Sequence, residues 1–504
     1  MKNSMVSLPK TEKRIKLVPP DGGWGWMVLL GTGLSNIFNQ SMLSLFSLLY
    51  GDALEAMGHR TAGAAIVMNT MLCVSNCGGP LAGVLVKLTS PRFVCVLGSA
   101  ICTVGIFFSG FSTNIIHLVI TYGIFLGAGL GFIQNASFVA INGYFKAKKS
   151  IAVGIAMTGT GIGQTLMPHV VRYFLDNYGF RGACLLLSGL SLHGICGTLL
   201  IQPVEWHMKK VEEDVIIDEK VHLLEENKKK ENTKEHNIAR RATAPTILND
   251  GAKQKLVPDF QSHKDLEFPA ENKSNGHFNG SGLKQDTNKS GFRKIYELFD
   301  ISLLKNPRFL NVITGTALTS ISLQNFSMLY PLFLQVSAGM NKQETANCMS
   351  AVAFADIIGR LSIPQLQAKF NISARMTLII TCIWIFIVRQ ILAYQSDMYV
   401  ILILSSLYGV GRSMVIVSRN ITISEQCRLE QVASAVGLGM LSMGLLTPPI
   451  GYFLGWVRDY TGDYIACISA QNAIMILFLI MWIPDMLLEY YQKKKEKTDE
   501  IQMT

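Results

Sequence analysis

The chain has 504 residues, of which 49% are hydrophobic and only 16% charged, with 45 Lys and Arg against 35 Asp and Glu for a net charge of +10. Its mean hydropathy is +0.31, whereas a soluble protein carries about 25% charged residues. This composition excludes an ordinary water-soluble enzyme, a fibrous protein and a disordered chain. It points to a polytopic membrane protein with one polar insertion, because Val204–Leu303 alone holds 17 Lys or Arg and 18 Asp or Glu.

In chain order, residues 1–23 read as a basic tail carrying Lys10, Lys13, Arg14 and Lys16. Residues 24–203 hold six apolar runs long enough to cross about 30 Å of hydrocarbon as helix. They are Trp24–Tyr50, Ala62–Leu88, Arg92–Phe111, Ile115–Ile141, Ile151–Phe174 and Arg181–Ile201. Residues 204–303, rich in Lys, Glu, Asn and Ser, are expected to be largely disordered. Six further runs fill 304–488: Arg308–Val336, Thr345–Ile363, Met376–Ala393, Met398–Val417, Val432–Val457 and Tyr464–Met486. Residues 489–504 form a second basic tail with Lys493, Lys494 and Lys495. Lipid cannot satisfy backbone polar groups, so the expected fold is all-α, with twelve transmembrane helices in two six-helix halves.

An even number of spans puts both tails, the Lys146–Lys149 cluster and the central segment on one side, and their cations make that side the cytosol. The net charge thereby finds its use at a membrane surface, and no nucleic-acid partner is expected. Arg60, Arg181 and Arg458 fall on the opposite side. The sequons at Asn272, Asn279 and Asn288 lie in the cytosolic segment and should stay unglycosylated. Cys73 and Cys77 sit one helical turn apart, but no His or second Cys pair completes a metal site, and neither metal nor cofactor is expected.

The halves look like repeats. Ala152-Val153-Gly154 returns 283 residues later as Ala435-Val436-Gly437, and Met157/Met440 and Asp176/Asp459 keep that offset. Parallel repeats of six spans place a solute path between the halves. The clusters Gly127-Ala-Gly129-Leu-Gly131 and Gly159-Thr-Gly161-Ile-Gly163 imitate nucleotide loops. They lack a preceding strand and a following Lys-Ser/Thr, and read as close helix packing.

Charges inside spans are the candidate site. Asp356 and Arg360, at i,i+4, share one helix face. A lone charge at the bilayer centre costs about 2.5–3.5 kcal/mol on insertion scales, so both should face the interior. Arginine offers a planar fork for a carboxylate, and a carboxyl at depth can hold a proton. A mutually neutralising structural pair is the alternative. Arg412 is an unusual cation within the tenth run, serving the solute or, alternatively, an internal salt bridge or snorkelling to an interface. Arg389 and Arg419 are expected to snorkel to an interface, and His169 to pack as a neutral imidazole, the alternative being that it faces the cavity.

The strongest local pattern is Pro20-Asp21-Gly22-Gly23-Trp24-Gly25-Trp26, a turn with an acid and two glycines followed by indoles at headgroup level. It resembles the acidic-Gly-Gly-Trp-Gly-Trp element of monocarboxylate transporters of the major facilitator superfamily. Tyr144-Phe145-Lys146-Ala147-Lys148-Lys149-Ser150-Ile151-Ala152-Val153-Gly154, Tyr178-Gly179-Phe180-Arg181-Gly182 and Tyr460-Thr461-Gly462-Asp463-Tyr464 extend the resemblance over all twelve runs, but not the central segment. The resemblance implies secondary transport of lactate- or pyruvate-like anions across the plasma membrane by alternating access, with H+ as a co-substrate. It gives Asp356 and Arg360 to proton and carboxylate. Asp21, Gly22, Gly23, Trp24, Trp26, Lys148, Lys149 and Arg181 become motif or gating positions, and a single-pass ancillary subunit becomes a partner beside the lipid bilayer.

One departure weakens the proton relay. Proton-coupled members carry a lysine deep in the first helix; ungapped counting puts that position at or near Ser44, and Trp24–Tyr50 has no Lys or Arg. Arg412 could then supply the missing cation. Two alternatives follow: a facilitator of a larger or zwitterionic solute such as an aromatic amino acid, creatine or carnitine, and a non-transporting sensor or scaffold. No catalytic constellation is present, so no enzyme activity is expected.

Overall fold

The computed structural model describes residues 11–57, 60–216, 296–370 and 372–503, and its chain divides into two units. In one unit, strand β1 (Thr11–Val18) pairs antiparallel with β2 (Lys209–Ile216). The register sets Lys13 opposite Asp214 and Arg14 opposite Glu213, and opposite charges across a ladder favour pairing. The sequence reading held no strand here. The sheet corrects the expectation of a plain tail and of disorder from residue 204, because a basic segment and an acidic one complement each other at long range. The expectations for residues 217–295, including Asn272, Asn279 and Asn288, lie outside the described residues.

The other unit is a bundle of twelve helical spans among the described residues. α1 comprises Gly25–Ser35, a π-helical stretch Asn36–Gln40, and Met42–Ala56. α2 comprises Arg60–Cys77 and Gly79–Leu88; α3 is Pro91–Ser109; α4 is Ile115–Tyr144. Lys149–Leu199 is two spans, α5 and α6, parted at Gly179 (φ 64°, ψ −178°), a backbone region that glycine alone adopts readily. Then follow α7 (Pro307–Val336), α8 (Lys342–Lys369), α9 (Ala374–Leu392), α10 (Met398–Glu425), α11 (Val432–Thr461) and α12 (Tyr464–Met503). Side chains that accept from first-turn amides begin several of them: Ser90 for α3, Asn306 for α7, Asn341 with Glu344 as a capping box for α8, Ser373 for α9 and Asp397 for α10. Nine helices among the described residues are apolar and long enough to cross a membrane, Lys149–Leu199 counting once. α1 and α7 fall outside those nine, and both carry buried polar residues, Asn36, Asn39 and Gln40 in α1 and Thr316, Thr319 and Ser322 in α7.

The repeat is structural. The offset of 283 residues carries α3 onto α9 at both ends and the start of α4 onto the start of α10. The halves meet along α2 with α11 and along α5 with α8, two contacts that the same offset exchanges. Gly154 lies against the backbone carbonyl of Arg360, and a Cβ on Gly437 would come within 2.5 Å of the Gly79 carbonyl. The repeated Ala-Val-Gly is therefore where the two halves touch, with glycine required by the approach of two backbones. One more pair at the offset, Gly161 and Gly444, faces Ile357 and Cys77. Burial along α5 and α11 changes midway. Ala152–Gly163 and Val432–Met440 are largely buried, whereas Leu166, Tyr173, Leu445, Tyr452 and Tyr460 are exposed. The halves thus pack toward the end that holds Asp21 and part toward the end that holds Gly179.

Candidate substrate site

α8 and α10 pack side by side, with Gly409 against Val352 and Gly359 against Ser413. This brings three of the sequence-predicted charges to mid-depth. Asp356 Oδ2 and Arg360 Nη2 are 2.6 Å apart, with side chains 1% and 2% exposed. Arg360 Nη1 also donates to the Met157 carbonyl of α5 at 2.5 Å. One guanidinium therefore joins its own helix to the opposite half. Asp356 Oδ1 and Arg360 Nε are buried without a partner, so the pair has unused hydrogen-bonding capacity on both members. Arg412 is half-buried on α10, near enough for its charge to act on Arg360, and makes no ion pair or hydrogen bond among the described residues.

Ser44 lies within Met42–Ala56, and its side chain is outside the described residues. Nearby, α1 reaches its neighbours through neutral amides. Asn36 donates to the Ala156 carbonyl (2.9 Å) and Gln40 to the Leu130 carbonyl (3.2 Å), while Ser191 donates to Asn39 Oδ1 (2.6 Å). Sequence reasoning passed over these amides, although an Asn-x-x-Asn-Gln run inside an apolar stretch is itself a signal of interhelical bonding.

The motif before α1 is a staple. Asp21, at φ 47°, accepts from the amides of Lys146 (2.7 Å), Ala147 (2.9 Å) and Lys148 (3.4 Å) with one carboxylate oxygen. Gly23 takes φ 58° in the turn that follows Gly22. Trp24 Nε1 donates to the Leu200 carbonyl at 3.1 Å and its ring stacks on His207 at 5.4 Å, while Trp26 meets Phe145 edge-on. The acid, the glycines and the indoles thus tie the start of α1 to the α4–α5 connection and the end of α6. Lys149 Nζ donates across the halves to Ser424 Oγ, and Lys87 pairs with Asp300. Lys148 is exposed, and so is Arg181 at the opposite end, remote from these groups.

Three expectations are corrected. Arg389 does not snorkel. It is 0% exposed, lies 4.2 Å from the Phe326 ring centroid and 5.1 Å from that of Tyr408, and donates to Ser322 Oγ at 2.9 Å. Leu378, Cys382, Ile385 and Arg389 form one fully buried stripe of α9. Arg419 also turns inward, to Ser320 Oγ at 3.3 Å and Met443 Sδ at 3.9 Å. His169 is exposed on the part of α5 that has left α8, not packed.

Comparisons with known proteins agree with this architecture. Monocarboxylate transporter 12-B of Danio rerio is 23% identical over 503 residues, covering 97% of this chain and 93% of that protein. Monocarboxylate transporter 1 of Mus musculus is 26% identical over 502 residues, covering 95% and 89%. Monocarboxylate transporter 13 of Rattus norvegicus is 32% identical over 183 residues, 36% of this chain and 43% of that one. Among solved structures, the human organic anion transporter MFSD10 superposes with a TM-score of 0.61 at 13% identity, covering 92% of this chain and all of that one. The Escherichia coli fucose:proton symporter FucP gives 0.59 at 12%, covering 91% and 96%. The family described as Major Facilitator Superfamily matches residues 28–451. With twelve spans, an internal six-helix repeat and that match over most of its length, the chain belongs to the Major Facilitator Superfamily.

Proposed function

We propose that the chain is a secondary transporter of small monocarboxylates that works by alternating access, with Arg412 as the first docking point of the carboxylate. The observation that carries this reading is the partnerless, half-buried guanidinium of Arg412 beside a buried Asp356–Arg360 pair. A planar cation at mid-depth is costly without an anion, and a carboxylate solute supplies one. Arg360, already held by Asp356 and Met157, serves as a latch between the halves. An arriving carboxylate competes with Asp356 for Arg360, so solute binding acts on the joint between the halves, and H+ is a proposed co-substrate. The names of the relatives support the substrate class.

In this reading the Asp21 end is cytosolic, because Lys87, Lys146, Lys148, Lys149 and Lys369 crowd it. The packing of the halves at that end then corresponds to an outward-facing state in the plasma membrane. A single-pass ancillary subunit is a proposed partner.

Labelled lactate uptake into proteoliposomes at two external pH values tests the reading. Arg412→Gln should weaken apparent affinity about tenfold to a hundredfold, the worth of a charge-assisted hydrogen bond of about 1.5–3 kcal/mol. Unchanged uptake by that variant, at equal protein density, would remove Arg412 from the site. A second reading, a larger or zwitterionic solute, is favoured by the absence of any Lys or Arg in Trp24–Tyr50. Uptake of carnitine, creatine or an aromatic amino acid with none of lactate would establish it.

A further inference from the structure

Cys73 and Cys77 stand at the seam between the halves, and the proposed function leaves them unused. Both lie on the first segment of α2, Arg60–Cys77, one turn apart on one helix face. Their Sγ atoms are 3.9 Å apart. Cys73 is exposed and Cys77 half-buried, although cysteine is among the residues most often fully buried. Their place follows from the packing of α2 on α11. A Cβ on Gly83 would meet the Ala433 carbonyl at 2.5 Å, one on Gly79 the Gly437 carbonyl at 2.8 Å, and one on Gly444 would lie 2.9 Å from Cys77 Sγ. Cys77 is therefore the last of three close contacts, counted from the Asp21 end. Past it the side chains are exposed: Cys73, Asn69 and Ile66 of α2, and Leu445 of α11. The two thiols straddle the point where the halves begin to part. Of the other thiols, Cys196 is on α6, Cys427 lies beyond α10, and the remaining six are buried.

We propose that Cys73 and Cys77 form a dithiol site for a thiophilic centre that bonds two sulfurs at once, a trivalent arsenical, and that its occupant wedges α2 from α11. The gap between the Sγ atoms is nearly twice a disulfide bond of about 2.05 Å, so one bridging atom spans a distance that a direct S–S bond leaves open. An organic arsenoxide reacts here without a change of oxidation state. Two As–S bonds replace the As–O double bond and two S–H bonds, both thiol protons leave with the oxide oxygen as water, and arsenic stays trivalent. The second As–S bond closes within one molecule, and such linkage raises apparent affinity about a hundredfold or more over a single contact. Gly444 backs Cys77 so closely that even a methyl group there would clash, so the bridged group must stand on the Cys73 side. Closing that end of the bundle, as alternating access requires, would press the group between α2 and α11. This consequence, unlike the site itself, rests on the transport reading above.

The test adds phenylarsine oxide to the purified full-length chain in proteoliposomes and reads intact mass and labelled lactate uptake. The expected product is one adduct that consumes two thiols, released by 2,3-dimercaptopropanol but not by 2-mercaptoethanol at equal thiol concentration. Cys73→Ser and Cys77→Ser should each raise the concentration needed for half-labelling about a hundredfold, with melting temperature and uptake unchanged. In the wild-type chain the adduct should lower the maximal rate of uptake and leave the KM of the remaining activity as it was, and both serine variants should resist. Cys73→Ala and Cys77→Ala repeat the comparison if a serine variant folds poorly. Labelling of equal affinity in the single-cysteine variants, or an adduct released by the monothiol, overturns the site. A saturated adduct with normal uptake overturns the wedge. Mass reads the site without any solute, so a chain that takes up no lactate overturns the transport reading alone, and the adduct still decides the site.

Discussion

The two halves are built on one plan and differ in where they place charge. The offset that superimposes their helices carries Cys73 and Cys77 onto Asp356 and Arg360, and Ile106, Gly129 and Ala136 onto Arg389, Arg412 and Arg419. Five positions that are small or apolar in the first half have become ionic in the second. In the first half the interior polar groups are neutral amides and hydroxyls, some bonded to one another as in Asn39–Ser191–Thr103 and others, such as Asn36 and Gln40, to backbone carbonyls. Cys73 and Cys77 keep free thiols 3.9 Å apart. The first half is a neutral template against which the second half works, and the helix contacts common to both halves predict that the fold tolerates removal of the charges as a set.

The largest expected effect comes from breaking the ionic pair on one side only. Asp356→Asn strands Arg360 and should cost about 3–5 kcal/mol, read as a lowered melting temperature and a loss of folded protein. Asp356→Cys combined with Arg360→Cys copies the first half and should recover most of that stability while remaining unable to transport. A double variant as unstable as the single one would mean that the second half cannot tolerate the neutral pattern. Arg412→Gln should come next, losing affinity at unchanged melting temperature. The smallest effect belongs to the neutral half. Asn39→Ala removes the acceptor of Ser191 and should cost about 1 kcal/mol, with uptake per folded molecule intact. Lost transport at normal stability would show that the first half also handles the solute.

The fold was legible because the membrane imposes a length and a period on every span, and because Ala-Val-Gly recurs where two backbones must touch. The pairing of Asp356 with Arg360 was legible from i,i+4 spacing. The second hold on Arg360 was not, since its acceptor, the Met157 carbonyl, belongs to a helix some 200 residues away in sequence. Arg389 and Arg419 were misplaced because an arginine near a helix end has two outlets, water and the interior, and only the neighbouring helices decide between them. The sheet of β1 and β2 is not legible in the sequence for a similar reason, its partners being separated by six spans.

The joint between Gly154, Met157 and Arg360 has a kinetic consequence. In the proposed cycle, parting of α5 and α8 takes the Met157 carbonyl away from Arg360, and a bound carboxylate can take over that role while an empty site cannot. If Arg360 is the latch proposed above, return of the unloaded carrier has the higher barrier, and exchange should outrun net import. Vesicles preloaded with unlabelled solute should take up label faster than empty ones; equal rates would separate Arg360 from the slow step.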